Sequence, residues 1–197
     1  MEGIYLFPTT IFRTSNFLSE KQCDIIVDRL RSSNSLKEHG AMSGKATSTH
    51  SNVSDAISFI ENLPECENFR TKIEDVLNHV AYEYGLFKQV AGNSWVNFQY
   101  KDSILHNHRH PMSILSVAFY LRADENSSSI KFYNPNVFNK FWSEFARDTF
   151  SNFDNYEYKV RTGDLYVFPS WLEHGGGDKN MSEERVVFSC NSESAED

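Results

Sequence analysis

The sequence has few cysteines: Cys23, Cys66 and Cys190, an odd number at wide spacing, with no CxxC. That argues against a disulfide framework and against a structural zinc knuckle. Long apolar runs are missing too; nothing approaches the ~18 consecutive apolar residues that a membrane-spanning helix needs. Basic residues are outnumbered, with 19 Lys and Arg against 27 Asp and Glu, for a net charge of −8. A chain that grips duplex DNA or an anionic membrane usually carries a basic patch or excess, and none is visible. The opening MEGIYLFPTTIFRT lacks both the basic n-region and the long apolar h-region of a signal peptide. A cytoplasmic location is therefore expected. There is no GxSxG, no Gly-rich phosphate loop and no HExxH, and nothing marks one of the three cysteines as a nucleophile. No internal repeat is visible.

What is present is a well-supplied core. Hydrophobic residues make up 40% of the 197, including 16 Phe and 9 Tyr. That places the chain among globular proteins, at a length suited to one domain over 1–197. Ser19 to Gln22 form an S-x-x-Q capping box, opening a helix with Cys23, Ile26, Val27 and Leu30 on its apolar face. Phe69, Ile73, Val76, Leu77, Val80 and Tyr84 repeat at helical spacing and predict a second helix over 68–86. Residues 32–54, rich in Ser, Thr, Gly and Asn, read as a long surface loop of the kind that serves as a lid. IYLFPTTIFRT reads as a short strand or strand pair broken by Pro8.

From residue 93 the pattern changes. WVNFQY, ILSVAFYLRA, SIKFYN, YEYKV, DLYVFP and RVVFSCN are short runs of β-branched and aromatic residues separated by turn-like segments. The aromatic stretch 137–155 interrupts them as an inserted helix or a loop over the site. Helices followed by strands, without βαβ alternation, predict a mainly β antiparallel sandwich or barrel with helices on one outer face. Residues 1–90 are then the helical support region and 93–191 the β core.

Chemistry concentrates in the histidines. His106, His108 and His110 alternate in HNHRHPMSILS, and His174 follows in FPSWLEHGGG. Alternate residues of an extended strand share a face about 6–7 Å apart. Two such imidazoles plus a third from a neighbouring strand can hold one transition-metal ion and leave positions open. A lone HxH is more often a solvated loop; His174 after a strand, with Arg185 heading the next one, favours a site. On spacing alone any of His106, His108 and His110 could serve. Arg185 could pair with Asp178, Glu183 or Glu184 at the surface. The apolar VVFSCN after it instead suggests a buried guanidinium in need of an anion, such as a small dicarboxylate. Ser189, on the same strand face, and the hydroxyls of Tyr120 and Tyr100 could assist. Gly175, Gly176 and Gly177 form a flexible turn or a side-chain-free approach to a ligand.

At these residues the chain resembles the iron(II)- and 2-oxoglutarate-dependent oxygenases. More narrowly, it resembles a bacterial and phage group of unassigned substrate. The resemblance rests on WVN (95–97), HRHPMSILSVAFYL (108–121), GDLYVFPSWLEH (163–174) and RVVFSCN (185–191). It covers the C-terminal half only. It implies a double-stranded β-helix, the cupin-like jelly roll, with the N-terminal helices packed on one sheet. It also implies Fe(II) held by an H-x-D/E…H triad: His108 first, His110 in the carboxylate position, and His174 as the distal ligand. His106 becomes a flanking residue. Arg185 would bind the far carboxylate of 2-oxoglutarate, with Ser189 and Tyr120 supporting and Tyr100 a weaker candidate. The implied partners are 2-oxoglutarate, O2 and a small-molecule or peptide substrate to be hydroxylated; a homodimer is compatible with this.

Two departures qualify the match. Position 110 is histidine rather than Asp or Glu, so the triad carries one negative charge fewer. Zn or Ni could then occupy the purified protein in place of iron. Val187 stands where a small polar residue is common. Two alternatives follow: a three-histidine cupin-like metalloenzyme that does not use 2-oxoglutarate, or a non-catalytic jelly-roll binding module.

Overall fold

The computed structural model describes residues 8–33, 35–38, 42–49, 55–136, 149 and 152–195. Its main element is a seven-stranded antiparallel sheet. The strands, in sheet order, are β1 (Phe12–Thr14), β10 (Leu165–Pro169), β7 (Leu115–Arg122), β12 (Glu184–Ser194), β5 (Gln89–Tyr100), β4 (Ala46–Ser48) and β2 (Lys37–Glu38). A three-stranded sheet of β11 (His174–Gly176), β8 (Ile130–Tyr133) and β9 (Asn155–Tyr158) forms the second layer, and β3 (Met42–Ser43) pairs with β6 (Ile104–Leu105). This is the expected mainly β jelly roll.

Strand alternation divides the large sheet into two chemically different faces. Val96 and Phe98 of β5, Phe119 and Leu121 of β7, Leu165 and Val167 of β10, and Val186 and Phe188 of β12 share the larger apolar core with the helices. Alternate residues (Ala118, Tyr120, Tyr166, Phe168 and Val187) join Ile130 and Phe132 of the small sheet in a second cluster. The functional cavity lies between the two layers.

Helix α1 (Glu20–Ser32) begins at the expected capping box: Ser19 accepts from the Gln22 backbone N–H, and the Gln22 side chain accepts from Ser19 N–H at 3.2 Å. It buries Cys23, Ile26, Val27 and Leu30. Helix α3 (Phe69–Tyr84) buries Phe69, Ile73, Leu77, Val80 and Ala81, and stops at Gly85 with φ +66°, a left-handed end that glycine adopts without strain. Each of the larger side chains here, the Val, Ile, Leu and Phe, contributes roughly 1.5–3 kcal/mol by leaving water. No helix among the described residues is long and apolar enough to cross a membrane.

Three expectations need correction or limits. The 32–54 segment is not simply a surface loop: Ala46–Ser48 is a strand of the main sheet, paired with Asn97 to Gln99 of β5. Three mostly polar residues carry no strand signature of their own; pairing with a long neighbour makes them one. The helix α2 (Ala56–Glu61) also went unread, being six residues capped by Asp55, whose carboxylate accepts from Ser58 N–H at 3.1 Å. At the N-terminus only Phe12–Thr14 is a strand among the described residues, and Met1 to Phe7 lie outside them. Most of the 137–155 insertion also lies outside them.

Candidate metal centre

Two backbone contacts bring the histidines together. His108 N–H donates to His174 C=O at 2.8 Å and His174 N–H returns to His108 C=O at 3.0 Å, so these residues face one another as a single antiparallel bridge. Two residues on, His110 N–H donates to Ser170 C=O at 3.0 Å. Alternation then puts His108 and His110 on one face, as the HxH spacing predicts. Gly175 permits this approach: a Cβ there would lie 2.9 Å from Asn107 Oδ1 and 3.2 Å from Asn107 Cα.

The three imidazoles offer ligand nitrogens that all lie within 4.8 Å of one another. His108 Nδ1 is 2.8 Å from the His106 carbonyl and His174 Nδ1 is 2.9 Å from the Leu172 carbonyl. A carbonyl only accepts, so each Nδ1 carries the proton and each Nε2 presents a lone pair. His110 Nε2 stands 3.2 Å from His174 Nε2, and its ring stacks on Trp95 at 5.5 Å. Burial holds His174 down to about 3 and His110 to about 4, with neighbouring imidazoles adding repulsion; burial also lowers His108. Neutral, pre-aimed imidazoles are the protonation state that metal ligation requires. His106 is excluded from the cluster. It is exposed, with its Nε2 2.6 Å from Ser43 Oγ, and contributes its carbonyl rather than its ring.

These depressed values fix the sign of a pH effect on the metal-free protein. An unfolded histidine titrates near 6.5. Between that value and about 4 the unfolded chain binds protons that the folded one refuses, so stability present above 6.5 is lost as pH falls. The loss is on the order of 2 kcal/mol for each of His110 and His174 by roughly pH 4.5. Melting the metal-free protein across this range should show the fall, and His110→Gln should reduce it.

A cavity of about 580 Å³ opens beside the triad. Its floor is the inner face of β5 and β12, where Gln99 sits opposite Arg185, Asn97 opposite Val187 and Trp95 opposite Ser189. Among the described residues the lining contains no carboxylate. Arg185 is 1% exposed and pairs with no acid among the described residues. Its Nε donates to the Ser128 carbonyl at 3.1 Å, its Nη1 to Gln99 Oε1, and its Nη2 to the Tyr120 hydroxyl at 3.1 Å. Burial pulls its pKa down, opposed by Tyr120.

The other expected residues divide. Tyr120 is buried against Arg185, with the guanidinium 4.9 Å from its ring centre. Ser189 lines the cavity two inward positions beyond Arg185. Tyr100 occupies an outward position of β5, packs against the helix-side core and lies under Lys45 at 4.6 Å. It is not brought to the cavity. Gln99, its neighbour, went unread and is.

Residues 93–191, half of the chain, match the family described as "Putative 2OG-Fe(II) oxygenase". The chain belongs to the 2-oxoglutarate–Fe(II) oxygenases. No curated protein sequence matches it. Solved structures of similar fold include the nickel and 2-oxoglutarate complex of HygX from Streptomyces hygroscopicus, 12% identical, with TM-score 0.61 over 95% of this chain and 84% of that one. They also include the α-ketoglutarate-dependent epimerase SnoN from nogalamycin biosynthesis, 11% identical, with TM-score 0.67 over 95% and 78%. A third is a Pseudomonas putida prolyl-4-hydroxylase, 11% identical, with TM-score 0.56 over 95% and 94%. At such identities the likeness is one of fold. The oxygenase family uses Fe(II) and 2-oxoglutarate, and the neutral three-nitrogen cluster beside an uncompensated buried guanidinium suits that pair chemically.

Proposed function

We propose that the chain is a dioxygenase in which His108, His110 and His174 hold Fe(II) and Arg185 receives the distal carboxylate of 2-oxoglutarate, with oxidation of a small-molecule or peptide substrate by hydroxylation. When bound, iron and cosubstrate supply the oxidising chemistry: O2 is consumed, 2-oxoglutarate yields succinate and CO2, and one oxygen atom passes to the substrate. The protein's own residues position and exclude. The Nδ1 anchors of His108 and His174 keep two Nε2 lone pairs converging, Trp95 braces the His110 ring beside them, and Phe168 packs on His174 with ring centres 4.5 Å apart. Tyr120 orients the guanidinium.

The observation that carries this reading is Arg185. A fully buried guanidinium without an anion is costly, and it lines the same cavity as the three imidazoles. That favours a ligand bearing both a metal-chelating end and a distant carboxylate over the alternative of a three-histidine centre that does not use 2-oxoglutarate. The absent carboxylate at position 110 shifts the balance of charge. Three neutral imidazoles leave the metal's full 2+ for the dianionic cosubstrate, so metal retention should depend on cosubstrate more strongly than in an H-x-D/E…H site. A second cavity of about 600 Å³, lined by Tyr133, Asp154, Trp171 and Glu173, shares Arg109 with the first and offers room for a larger substrate. The test is succinate formation from 2-oxoglutarate with Fe(II) in air, against a substrate panel. Absence of both succinate and 2-oxoglutarate binding in metal-loaded protein would reject the proposal.

A further inference from the structure

The polar groups around Arg185 are unbalanced in one direction. Gln99 is 1% exposed, and its Oε1 accepts from Arg185 Nη1. That contact fixes which way round the amide sits, because the reverse orientation would turn its NH2 toward a guanidinium that only donates. The Gln99 Nε2 is thereby aimed away from Arg185, and it is buried with no hydrogen-bond partner. Tyr120 accepts from Arg185 and has no acceptor for its own proton among the described residues. Arg185 uses three of its five N–H groups. Among the groups hydrogen-bonded to Arg185, and in the guanidinium itself, what remains unfilled is donors alone: Gln99 N–H, Tyr120 O–H and Arg185 N–H; the unfilled acceptor of the same cavity, Asn97 Oδ1, stands one inward position further along β5. Buried donors without acceptors are rare because each forfeits its bond with water. Three strands contribute, with Gln99 directly opposite Arg185 in the register and Tyr120 on the other flank.

We infer that Gln99 is a direct ligand of the cosubstrate's distal carboxylate, donating through Nε2 while its Oε1 holds the guanidinium in place, so that Gln99, Arg185 and Tyr120 form one donor-only clamp. The inference rests on the 2-oxoglutarate reading of this cavity. A carboxylate offers only acceptors and so satisfies all three; a substrate hydroxyl accepts at most two such bonds and brings a proton of its own, and an amine accepts at most one, so neither fills the set. Gln99 must also be uncharged. A carboxylate in its place would bond to Arg185 from within and occupy the anion's electrostatic position.

The test is calorimetric titration of Zn(II)-loaded protein, which binds without turnover, with 2-oxoglutarate and with 2-oxobutyrate, a keto acid lacking the distal carboxylate. Gln99→Leu should weaken 2-oxoglutarate about tenfold or more, the loss of one hydrogen bond to a charged group. It should leave 2-oxobutyrate affinity and zinc content at wild-type values. Gln99→Glu, nearly the same shape, should weaken 2-oxoglutarate further and raise the melting temperature without ligand, because the buried guanidinium gains an internal partner. Unchanged 2-oxoglutarate affinity in both variants overturns the inference, as does equal weakening of the two keto acids, which would mark general damage. If Gln99→Leu does not fold, Gln99→Glu decides alone. Wild-type protein that binds zinc but neither keto acid overturns the reading of the whole cavity, and the inference with it.

Discussion

His174→Ala is expected to remove stoichiometric metal binding. The residue is the most buried member of the triad, and it is tied at three atoms. Its backbone N–H and C=O pair with His108, and its Nδ1 is held by Leu172. Altering groups that merely orient a metal ligand costs 10–100-fold in affinity, so losing a ligand should cost more than about 100-fold. The imidazole also packs on Phe168 and Phe132, so some stability will go with it. His174→Gln fills more of that space and separates the two effects. The measurement is metal content after anaerobic loading, beside a melting curve. A folded His174→Gln protein that retains one metal per chain would remove His174 from the site.

Arg185→Leu is expected to do the converse: metal retained, 2-oxoglutarate lost. Hydrogen bonds to charged groups contribute about 1.5–3 kcal/mol each, so losing a two-pronged contact should raise Kd by at least about 100-fold. Stability offers an independent readout. A ligand that binds only the folded state adds RT ln(1 + [L]/Kd), so 2-oxoglutarate should raise the melting temperature of the metal-loaded wild type and leave that of the variant unmoved. Without ligand, Arg185→Leu relieves one uncompensated buried charge but strands Gln99 Oε1, the Ser128 carbonyl and the Tyr120 hydroxyl. These opposing effects should keep the intrinsic change small beside the lost ligand response.

Much of this site could be read in the sequence because strand parity is strict. HRH spacing alone puts His108 and His110 on one face, and the six strand-like runs from residue 93 all became strands. The fold's helix face was equally plain from Cys23, Ile26, Val27 and Leu30. Gln99 was missed because of a general rule that fails locally. In NFQY the apolar residues normally mark the interior and the polar ones the solvent side. In β5 both faces are covered: Phe98 and Tyr100 meet the helices, while Asn97 and Gln99 meet the cavity. Tyr100, chosen for its hydroxyl, has the wrong parity relative to Trp95 and Asn97. Ala46–Ser48 was missed for a different reason, since its strand character comes from β5 rather than from its own residues.

The central claim is that one small dianion bridges the three imidazoles and Arg185. Titrating 2-oxoglutarate into metal-loaded and metal-free protein, wild type and Arg185→Leu, tests it most directly. The expected result is one site per chain in the metal-loaded wild type, weakened sharply when either the metal or the guanidinium is removed. Binding that is indifferent to the metal, or equally tight in Arg185→Leu, would contradict it.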